Sequence, residues 1–512
     1  MGKKHKKRLQ TEKSKNNACD AESTECGISI NGLKNLTIRS FIESGKKDFY
    51  LQLILCITIL GLILRFYHLD YNSIWLDEGT TLGAARGALG QIWSNYMSGS
   101  EFNTPLFYTL EHFILVFGES EFILRFIPAL LGALTVPVVY LIGWEILDKK
   151  TGIIASALLA FSGFHIYYSQ EARAYTTVLF FFSLAVLFYL WARKTRDIRF
   201  WISFGIFSSL ALWANLYSSL AILALLIHAV ITQRNEIKQN FRNLIPLAAA
   251  VITMFILTLP IIALSIGKFV EVTTRFKFMG YEGLDVIIQP IVQISNFDSI
   301  LAVLFVILAL AGIYAIYKKN PSSALLIILS LGVTYLTSII LASKMIILPR
   351  YFICTMPFFF ASIAGSAEFI PKTINPKTTV VIAVILALIV GLPFMSSYYT
   401  NYSKNDWRGV SKVLTENTAE GDLVVILPGY LHQPFNYYYD NTTDGTIQFG
   451  VYTSEELSRI YGLRNSTYPQ GTIYYLNTWD ITAANPEGDA MQWLNEHAAY
   501  AGQISGIFVR VG

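Results

Sequence analysis

The sequence predicts an all-α membrane protein that crosses the bilayer about eleven times and carries a small α/β domain outside the membrane. Of its 512 residues, 53% are hydrophobic and only 14% are charged, whereas soluble chains carry about 25% charged residues. Several apolar runs are about 17–25 residues long, which is the length of a helix that crosses the hydrocarbon core. The composition becomes polar after Pro393, and this change marks the second domain.

The apolar runs predict the membrane-spanning helices one after another along the chain. They lie near residues 50–67, 125–146, 151–168, 174–192, 200–214, 217–232, 244–265, 299–317, 322–342, 351–370 and 378–395. With these spans, the strongly basic connections fall on one side: the N-terminal tail, Lys149-Lys150, Arg193–Arg199, Arg234–Arg242, Lys318-Lys319 and Lys372–Lys377. Because basic connections stay in the cytoplasm, we expect a multi-pass protein of the cell membrane with a cytoplasmic N-terminus and an extracytoplasmic C-terminal domain.

Three domains follow from this topology. Residues 1–48 form a basic tail, which we expect to be disordered and cytoplasmic, because no apolar segment of signal-peptide type follows it. Residues 49–395 form the transmembrane domain, with a structured first outer loop at 68–124. Within this loop, Thr104–Phe117 is apolar but short. We interpret it as a re-entrant or surface-lying helix; the alternative, a full span, would place Lys149 and Lys150 outside, against the charge rule.

The polar part, residues 396–512, predicts a small α/β domain. Ser411–Glu416 is predicted as helix. Strands are predicted at Asp422–Leu427, where an apolar run follows a Gly-Asp turn, at Gly471–Leu476 and at Ile504–Val511.

Charged residues collect at the outer ends of several predicted spans. Asp77 and Glu78 follow the first span directly, Glu171 and Arg173 occupy a very short outer loop, and Arg350 precedes a later span. A carboxylate can act as a general base toward a hydroxyl, and an arginine can bind a phosphate oxygen. Together these residue types suit transfer from a membrane-anchored phosphorylated donor to a hydroxyl outside.

Each of these residues also has a structural interpretation. The acidic pair Asp77–Glu78 is typical of the first turn of a helix. Glu171 and Arg173 could pair with each other, and Arg350 could extend to the membrane interface. The four cysteines, Cys19, Cys26, Cys56 and Cys354, show no metal-binding spacing.

The order of the motifs resembles a known family. The motifs are Trp75-Leu-Asp77-Glu78, Asn103-Thr-Pro105-Leu-Phe-Tyr108, Gly118-Glu-Ser-Glu-Phe-Ile-Leu-Arg125, His165-Ile-Tyr-Tyr-Ser-Gln170-Glu171-Ala-Arg173-Ala-Tyr175 and Pro349-Arg350-Tyr351. They are similar to those of GT-C fold glycosyltransferases of the dolichyl-phosphate-mannose protein mannosyltransferase type (family 39), with the bacterial aminoarabinose transferases as relatives. The resemblance covers about residues 50–370, and Asp406-Trp407-Arg408-Gly409 also resembles the C-terminal part of archaeal and bacterial members.

The resemblance implies an inverting glycosyltransferase that uses a polyprenyl-phosphate or dolichyl-phosphate sugar. It implies that Asp77 is the base, with Glu78 as helper and Glu171 positioning a substrate, and that Arg173, Arg350 and Tyr351 bind the donor phosphate. The residues expected to position the acceptor are Trp75, Asn103, Gln170 and Tyr175. No cofactor is required, and a divalent metal stays open. The partners are a lipid-linked sugar donor, a glycan, lipid or protein acceptor and the membrane, with no nucleic acid.

Two other functions stay open beside this one. A lipid-linked oligosaccharide transferase or ligase is the first, although the acceptor signature W-W-D-Y-G of an N-glycan transferase is absent from the sequence. A transporter or flippase is the second, although transporters place their polar residues near the middle of the membrane. The outer loop 266–298 is too short for the MIR domain of the eukaryotic protein mannosyltransferases, which puts direct protein O-mannosylation in doubt.

Overall fold

The fold is described by a computed structural model that covers residues 48–98, 103–275, 281, 283–440 and 445–512, with the backbone alone for 262–275. The predicted cytoplasmic tail therefore lies outside the described residues, except for Asp48. The Asp48 carboxylate accepts hydrogen bonds from the first backbone N–H groups of the first helix, at 2.9 Å from Tyr50.

The helices of the transmembrane domain and its outer loop follow in chain order. They are α1 (Phe49–Phe66), α2 (Leu76–Arg86), α3 (Leu89–Ser98), α4 (Pro105–Ile114), α5 (Glu121–Leu124), α6 (Phe126–Ile146), α7 (Lys149–Ala160), α8 (Gly163–Ser169), α9 (Tyr175–Thr195), α10 (Ile198–Ala214), α11 (Ser218–Gln239), α12 (Ile245–Arg275), α13 (Asp285–Ile294), α14 (Ser299–Lys319), α15 (Pro321–Ala342), α16 (Met356–Gly365) and α17 (Pro376–Thr400). A 3-10 turn, Pro349–Thr355, leads into α16.

Within the described part of the chain, nine helical segments are long and apolar enough to cross a membrane, and a tenth span results if α7 and α8 are counted as one. The one predicted span not among these ten, residues 200–214, corresponds to α10. It has 17 residues, about 26 Å at 1.5 Å per residue, which is slightly shorter than an average hydrocarbon core of about 30 Å. The multi-span helical architecture expected from the sequence is confirmed.

The predicted span 151–168 is not one straight helix. It breaks after Ala160, and α8 is bent by 59° relative to α7. The carbonyl groups freed at the end of α7 need a donor, because lipid offers none. The buried guanidinium of Arg65 supplies it, donating to Ala160 at 3.1 Å and to Leu159 at 3.2 Å.

The spans pack closely where small residues face each other. A Cβ atom added at Gly143 on α6 would lie 2.7 Å from the Cα atom of Gly152 on α7. The two helices can approach this closely only because both positions lack a side chain, which is a common device in membrane helix pairs. This pair holds α7, and with it the short α8, against the centre of the bundle.

The first outer loop is structured. Its apolar segment forms α4 and a short 3-10 turn that ends at Phe117. A helix of 10 residues is about 15 Å long and cannot cross the bilayer. It lies against the outer end of the bundle, where the Thr104 hydroxyl donates to the Ala214 carbonyl at 2.9 Å. The helix is shorter than a membrane span, and the two interpretations, re-entrant or surface-lying, both stay open.

The outer domain contains a five-stranded sheet. Its elements are α18 (Trp407–Asn417), β1 (Leu423–Leu427), α19 (His432–Tyr438), β2 (Ile447–Gly450), α20 (Ser454–Thr467), β3 (Ile473–Thr478), α21 (Ile481–Ala484), α22 (Asp489–His497), β4 (Ala499–Ile504) and β5 (Ile507–Val511). The strand order is β2-β1-β3-β5-β4. β1 pairs in parallel with β2 and β3, whereas β5 pairs antiparallel with β3 and β4.

The α/β character was predicted, but the last predicted strand was wrong in one respect. Ile504–Val511 is not one strand: Ile504 ends β4, and β5 begins at Ile507 after a two-residue turn. Gly506 has a φ of 85° in this turn, a conformation that favours glycine. The sequence Ser-Gly between two apolar runs is a hairpin signal that separates the two strands.

The Asp406-Trp407-Arg408 motif joins the outer domain to the first outer loop. One Asp406 carboxylate oxygen accepts from the Ser73 hydroxyl and from the Gly409 backbone N–H, both at 2.9 Å. Arg408 donates to the Asp70 carbonyl at 2.9 Å and to the Glu121 carboxylate. The outer domain is therefore fixed above the loop that carries the acidic pair.

Candidate active site

Asp77 lies in the first turn of α2, so the interpretation of the acidic pair as a helix start is correct as local structure. Its carboxylate does more than complement the helix dipole. The Oδ2 atom of Asp77 is 3.7 Å from Nε of Arg173 and 3.7 Å from Nη2 of Arg350. Within the described residues this oxygen is buried without a hydrogen bond. Two cations from distant parts of the chain thus converge on one carboxylate.

A cavity of about 270 Å³ opens beside this carboxylate. Six of the ten residues that the sequence singled out line it, namely Asp77, Asn103, Arg173, Tyr175, Arg350 and Tyr351. The other four, Trp75, Glu78, Gln170 and Glu171, are not among the residues that line it. These six come from four separate chain segments, so their convergence is a property of the fold and not of any one motif.

The two arginines are held by the cavity wall. Arg173 donates to Asn103 at 3.3 Å, and the guanidinium of Arg350 lies over the Tyr175 ring, 5.4 Å from its centroid. Burial lowers the pKa of Arg173, but the nearby Tyr175 and Asp77 outweigh it, so its pKa lies above the ordinary value. Both guanidinium groups therefore present fixed positive charge to the cavity.

Glu78 occupies a different environment from its neighbour. It is fully buried, and Arg125 donates to both carboxylate oxygens at 2.7 Å. The backbone N–H of Ala172 donates to Glu78 at 3.0 Å. Burial raises the pKa of Glu78, but Arg125 and Lys404 outweigh it and hold it at about 2. Glu78 therefore stays ionised at neutral pH and ties α2 to two other segments, without lining the cavity.

Arg125 was not predicted as part of this arrangement. It lies at the start of α6, and its remaining donors reach the carbonyl groups of Leu69, Asn72 and Ser73 at 2.8–3.1 Å. The sequence places it 47 residues from Glu78. No spacing rule connects two residues that far apart, so only the fold could reveal the pair.

Glu171 lies in the short connection between α8 and α9 and is only 1% exposed. Neither carboxyl oxygen has a hydrogen bond among the described residues. Burial raises the pKa of Glu171 to about 7, with Lys404 and Arg350 opposing the rise. Its protonation is therefore poised near neutral pH, unlike that of Glu78.

Lys404 is the cation that the sequence did not indicate. It comes from the segment after the last span, yet its side chain is only 5% exposed and its Nζ lies 3.3 Å from Glu78 Oε2. The ammonium lies over the rings of Trp75, at 5.4 Å, and Tyr167, at 5.9 Å. Burial lowers its pKa. A lone lysine in a polar segment gives no signal of this kind, since its partners are more than 200 residues earlier.

Gln170, expected to position the acceptor, is placed elsewhere. Its side-chain amide donates to the carbonyl groups of Arg65 at 3.0 Å and Tyr67 at 2.8 Å. These contacts close the C-terminal end of α1. Trp75 likewise faces Lys404 and does not line the cavity.

No group of three or more His, Cys, Asp or Glu side chains that could hold a metal ion occurs within the residues that the structure describes. The two histidines near the site have structural contacts. His165 accepts from Arg65 at 2.5 Å, and Nδ1 of His112 donates to the Ala85 carbonyl at 3.0 Å.

Comparisons with known proteins agree with this architecture. Residues 104–263 match the family model described as dolichyl-phosphate-mannose-protein mannosyltransferase. The chain is similar to ArnT of Cupriavidus metallidurans, in the apo state (TM-score 0.57) and bound to undecaprenyl phosphate (TM-score 0.58). Each match has 12% identity and covers 90% of this chain and 97% of the other.

This chain has the GT-C fold. An oligosaccharyltransferase of Archaeoglobus fulgidus is similar to it as well, with a TM-score of 0.50 and 13% identity over 91% of this chain and 74% of the other. An uncharacterised protein of Aquifex aeolicus is 30% identical over 173 residues, which is 31% of this chain and about a third of that relative.

The residues that match the family model include only part of the candidate active site. Glu171, Arg173 and Tyr175 lie inside the matched residues, whereas Asp77, Arg350 and Lys404 lie outside them. The geometry of the cavity, and not the match, therefore brings the catalytic candidates together.

Proposed function

We propose that the protein is an inverting glycosyltransferase that moves a sugar from a polyprenyl or dolichyl monophosphate to an acceptor hydroxyl on the extracytoplasmic face. The observation that carries this proposal is the convergence of Arg173 and Arg350 on the Asp77 carboxylate at the wall of one cavity. The cavity lies at one end of the membrane spans. A donor that is anchored in the bilayer by its lipid can reach this position and place its sugar in the cavity.

In the proposed reaction, the Asp77 carboxylate takes the proton of the acceptor hydroxyl. The hydroxyl oxygen then attacks the anomeric carbon from the face opposite the phosphate. The bond between the anomeric carbon and the phosphate oxygen breaks, and the bonding electrons leave with the lipid phosphate. Since one displacement occurs, the configuration of the anomeric carbon inverts.

The leaving phosphate gains negative charge during this step. Arg173 and Arg350 are held in place before reaction, by Asn103 and by the Tyr175 ring. Preorganised donors of this kind stabilise developing charge without reorganising. Tyr351 lines the same wall. Glu78 is held by Arg125 and fixes the first turn of α2, so it positions the adjacent Asp77. We assign Glu171 to substrate positioning.

The similar structures support a lipid-phosphate donor. ArnT of Cupriavidus metallidurans was solved with undecaprenyl phosphate bound, a polyprenyl monophosphate without a sugar, which corresponds to the lipid phosphate that leaves in the proposed reaction. The second candidate is an oligosaccharide transferase, which the likeness to the Archaeoglobus fulgidus enzyme favours. The two candidates differ in the donor. The first uses a monosaccharide on a lipid monophosphate, and the second uses a lipid-linked oligosaccharide.

Replacing the base tests the proposal. In the Asp77→Asn variant, we expect transfer from a lipid-phosphate sugar to be lost while the protein stays folded, because the amide keeps the shape but cannot take a proton. Purified protein is incubated with a panel of polyprenyl-phosphate sugars, and consumption of each donor is followed.

Asp70→Asn is the matched control. Asp70 lies in the same loop but is exposed, so this variant should behave like the wild type. Unchanged donor consumption by Asp77→Asn would contradict the assignment of the base. Consumption of oligosaccharide donors alone would favour the second candidate.

A further inference from the structure

The outer domain presents aromatic side chains at one edge of its sheet that the proposed reaction does not use. Tyr430 follows β1, Tyr452 follows β2 and Trp479 follows β3. Trp479 is 70% exposed and Tyr452 is 39% exposed. Each of the three parallel strands thus ends in a loop with an aromatic residue. Large aromatic side chains gathered on a surface usually mark a contact with something else.

The strand order gives this edge a topological feature that is typical of ligand-binding α/β sheets. The chain leaves β1 toward β2 on one side, and it leaves β3 toward β5 and β4 on the other side. The neighbouring strands β1 and β3 therefore form a topological switch point. In open α/β sheets, ligands bind in the crevice outside the carboxyl ends of the strands at such a point.

Two aromatic pairs and a carboxylate lie at this edge, one pair beside β1 and β2 and the other beside β3 and β5. The Tyr430 and Tyr452 rings are 6.2 Å apart, and Trp479 meets Phe508 edge to face at 5.0 Å. Asp480 follows Trp479 directly and accepts from the Thr478 hydroxyl at 3.0 Å. This acid is close enough to Tyr430 to interact with it electrostatically.

The same edge faces the transmembrane domain. The turn between β4 and β5 lies at this edge. Its Ser505 carbonyl accepts from the Asp406 backbone N–H at 3.3 Å, and the Asp406 carboxylate accepts from the Ser73 hydroxyl of the first outer loop at 2.9 Å. The helix after Tyr430, α19, packs on α2, where the Thr80 hydroxyl donates to Gln433 at 2.8 Å. Since α2 also carries Asp77, the helix that follows Tyr430 packs directly on the helix of the proposed base.

We infer that this crevice binds a neutral glycan that carries the acceptor hydroxyl. The inference rests on the proposed function. A sugar ring offers an apolar C–H face to an aromatic ring, and Tyr and Trp supply rigid contact area at a low cost in entropy. Its hydroxyl groups can donate to Asp480. The carboxylate would repel a phosphorylated acceptor or an anionic lipid surface, so a neutral saccharide fits the crevice best.

Saccharide binding to the purified full-length protein tests this inference. The probes are mannotriose, maltotriose, cellotriose and chitotriose, and binding is followed by ligand-observed saturation-transfer NMR. We expect at least one trisaccharide to bind the wild type. Trp479→Ala should weaken it by about tenfold or more, as for an aromatic residue at the centre of a binding surface, and Asp480→Asn should weaken it as well.

Tyr500→Ala provides the matched control. Tyr500 is 58% exposed and pairs with Arg510 toward the other edge of the same sheet, so its removal should leave saccharide binding unchanged. Absence of binding by all four saccharides, or equal binding by the Trp479 and Tyr500 variants, would overturn the inference. A Trp479→Ala defect in binding to liposomes, without any saccharide signal, would overturn it in favour of a membrane contact.

A second measurement separates this inference from the proposed function. Slow hydrolysis of the lipid-phosphate sugar uses water as the acceptor, so it should require Asp77 but not Trp479. If the wild type binds saccharide but consumes no donor, the proposed function fails and the crevice stands. If it consumes donor but binds no saccharide, the crevice fails and the proposed function stands.

Discussion

Glu171 is the group in the site whose charge changes near neutral pH. Its pKa is raised to about 7 by burial, whereas an ordinary glutamate has a pKa of about 4.3. Between these values the folded protein holds a proton that the unfolded chain has released. The free energy of unfolding therefore falls as the pH rises through this window, by on the order of 3 kcal/mol for this group.

Glu171→Gln should remove this contribution. We expect the variant to gain thermal stability relative to the wild type as the pH rises from 5 to 8, because the amide cannot ionise. The melting temperature of the detergent-solubilised protein measures it. Glu416→Gln, at an exposed position of α18, is the control and should follow the wild type. A pH-independent difference for Glu171→Gln would contradict the assignment.

Single residues differ in how far the sequence could predict them. Asp77, Arg173 and Arg350 were predicted as site residues because each belongs to a short motif beside a span. Lys404 and Arg125 were missed because their roles depend on partners that are distant in the chain. Gln170 lies in the most specific motif, but its amide is engaged by the end of α1. A motif shows that a residue is near the site and does not show which way its side chain points.

At the scale of elements, the contact between α2 and α19 connects the two domains. A Cβ atom at Gly79 would lie 3.2 Å from the Pro434 backbone nitrogen. Gly83, one turn further along α2, has nothing within 4 Å of the corresponding position. The two glycines therefore differ in packing although they share a helix.

Substituting the two glycines separates packing from helix propensity. Gly79→Val should displace α2 from α19 and lower transfer activity by about tenfold or more, since small misplacements of catalytic groups cost this much. Gly83→Val carries the same β-branched side chain and should stay close to the wild type. Initial rates of donor consumption measure both. Equal losses would show that the helix, and not the contact, is sensitive.

The sequence predicted where the spanning helices lie better than it predicted their bends. The apolar runs indicated the spans because about 20 apolar residues have few other uses. The apolar run predicted as one span hid the break between α7 and α8, although Ser162-Gly163 lies there and the Ser162 hydroxyl caps α8. The break depends on Arg65, a residue of another span, which satisfies the exposed carbonyl groups.

At the scale of the whole molecule, the distribution of charge predicts orientation. Basic connections lie at the end of the bundle opposite the outer domain. Lys150 and Lys319 both pair there with Glu368. From the positive-inside rule we expect this end to lie in the cytoplasm. The order of the spans followed from the sequence, although the described residues hold nine or ten helices of spanning length where eleven were predicted. The docking of the outer domain depends on side-chain contacts that no hydropathy pattern encodes.

Labelling of introduced cysteines in intact cells measures this orientation. In a chain whose four cysteines are replaced by alanine, Ser466→Cys in the outer domain should react with a membrane-impermeant maleimide. Lys372→Cys, between two spans at the opposite end, should react only after the cells are opened. Both positions are exposed. The reverse pattern would contradict the orientation and would place the proposed reaction on the cytoplasmic face.

The burial of Lys404 has a consequence for domain motion. This lysine lies in the segment that joins α17 to the outer domain, but its side chain is buried against Glu78 of the transmembrane domain. Any movement that lifts the outer domain and withdraws Lys404 leaves two buried acids with less positive charge around them. Loss of this positive charge would raise the pKa of both acids, so an opening of the domain interface would take up protons. Domain opening would therefore become easier as the surroundings become more acidic.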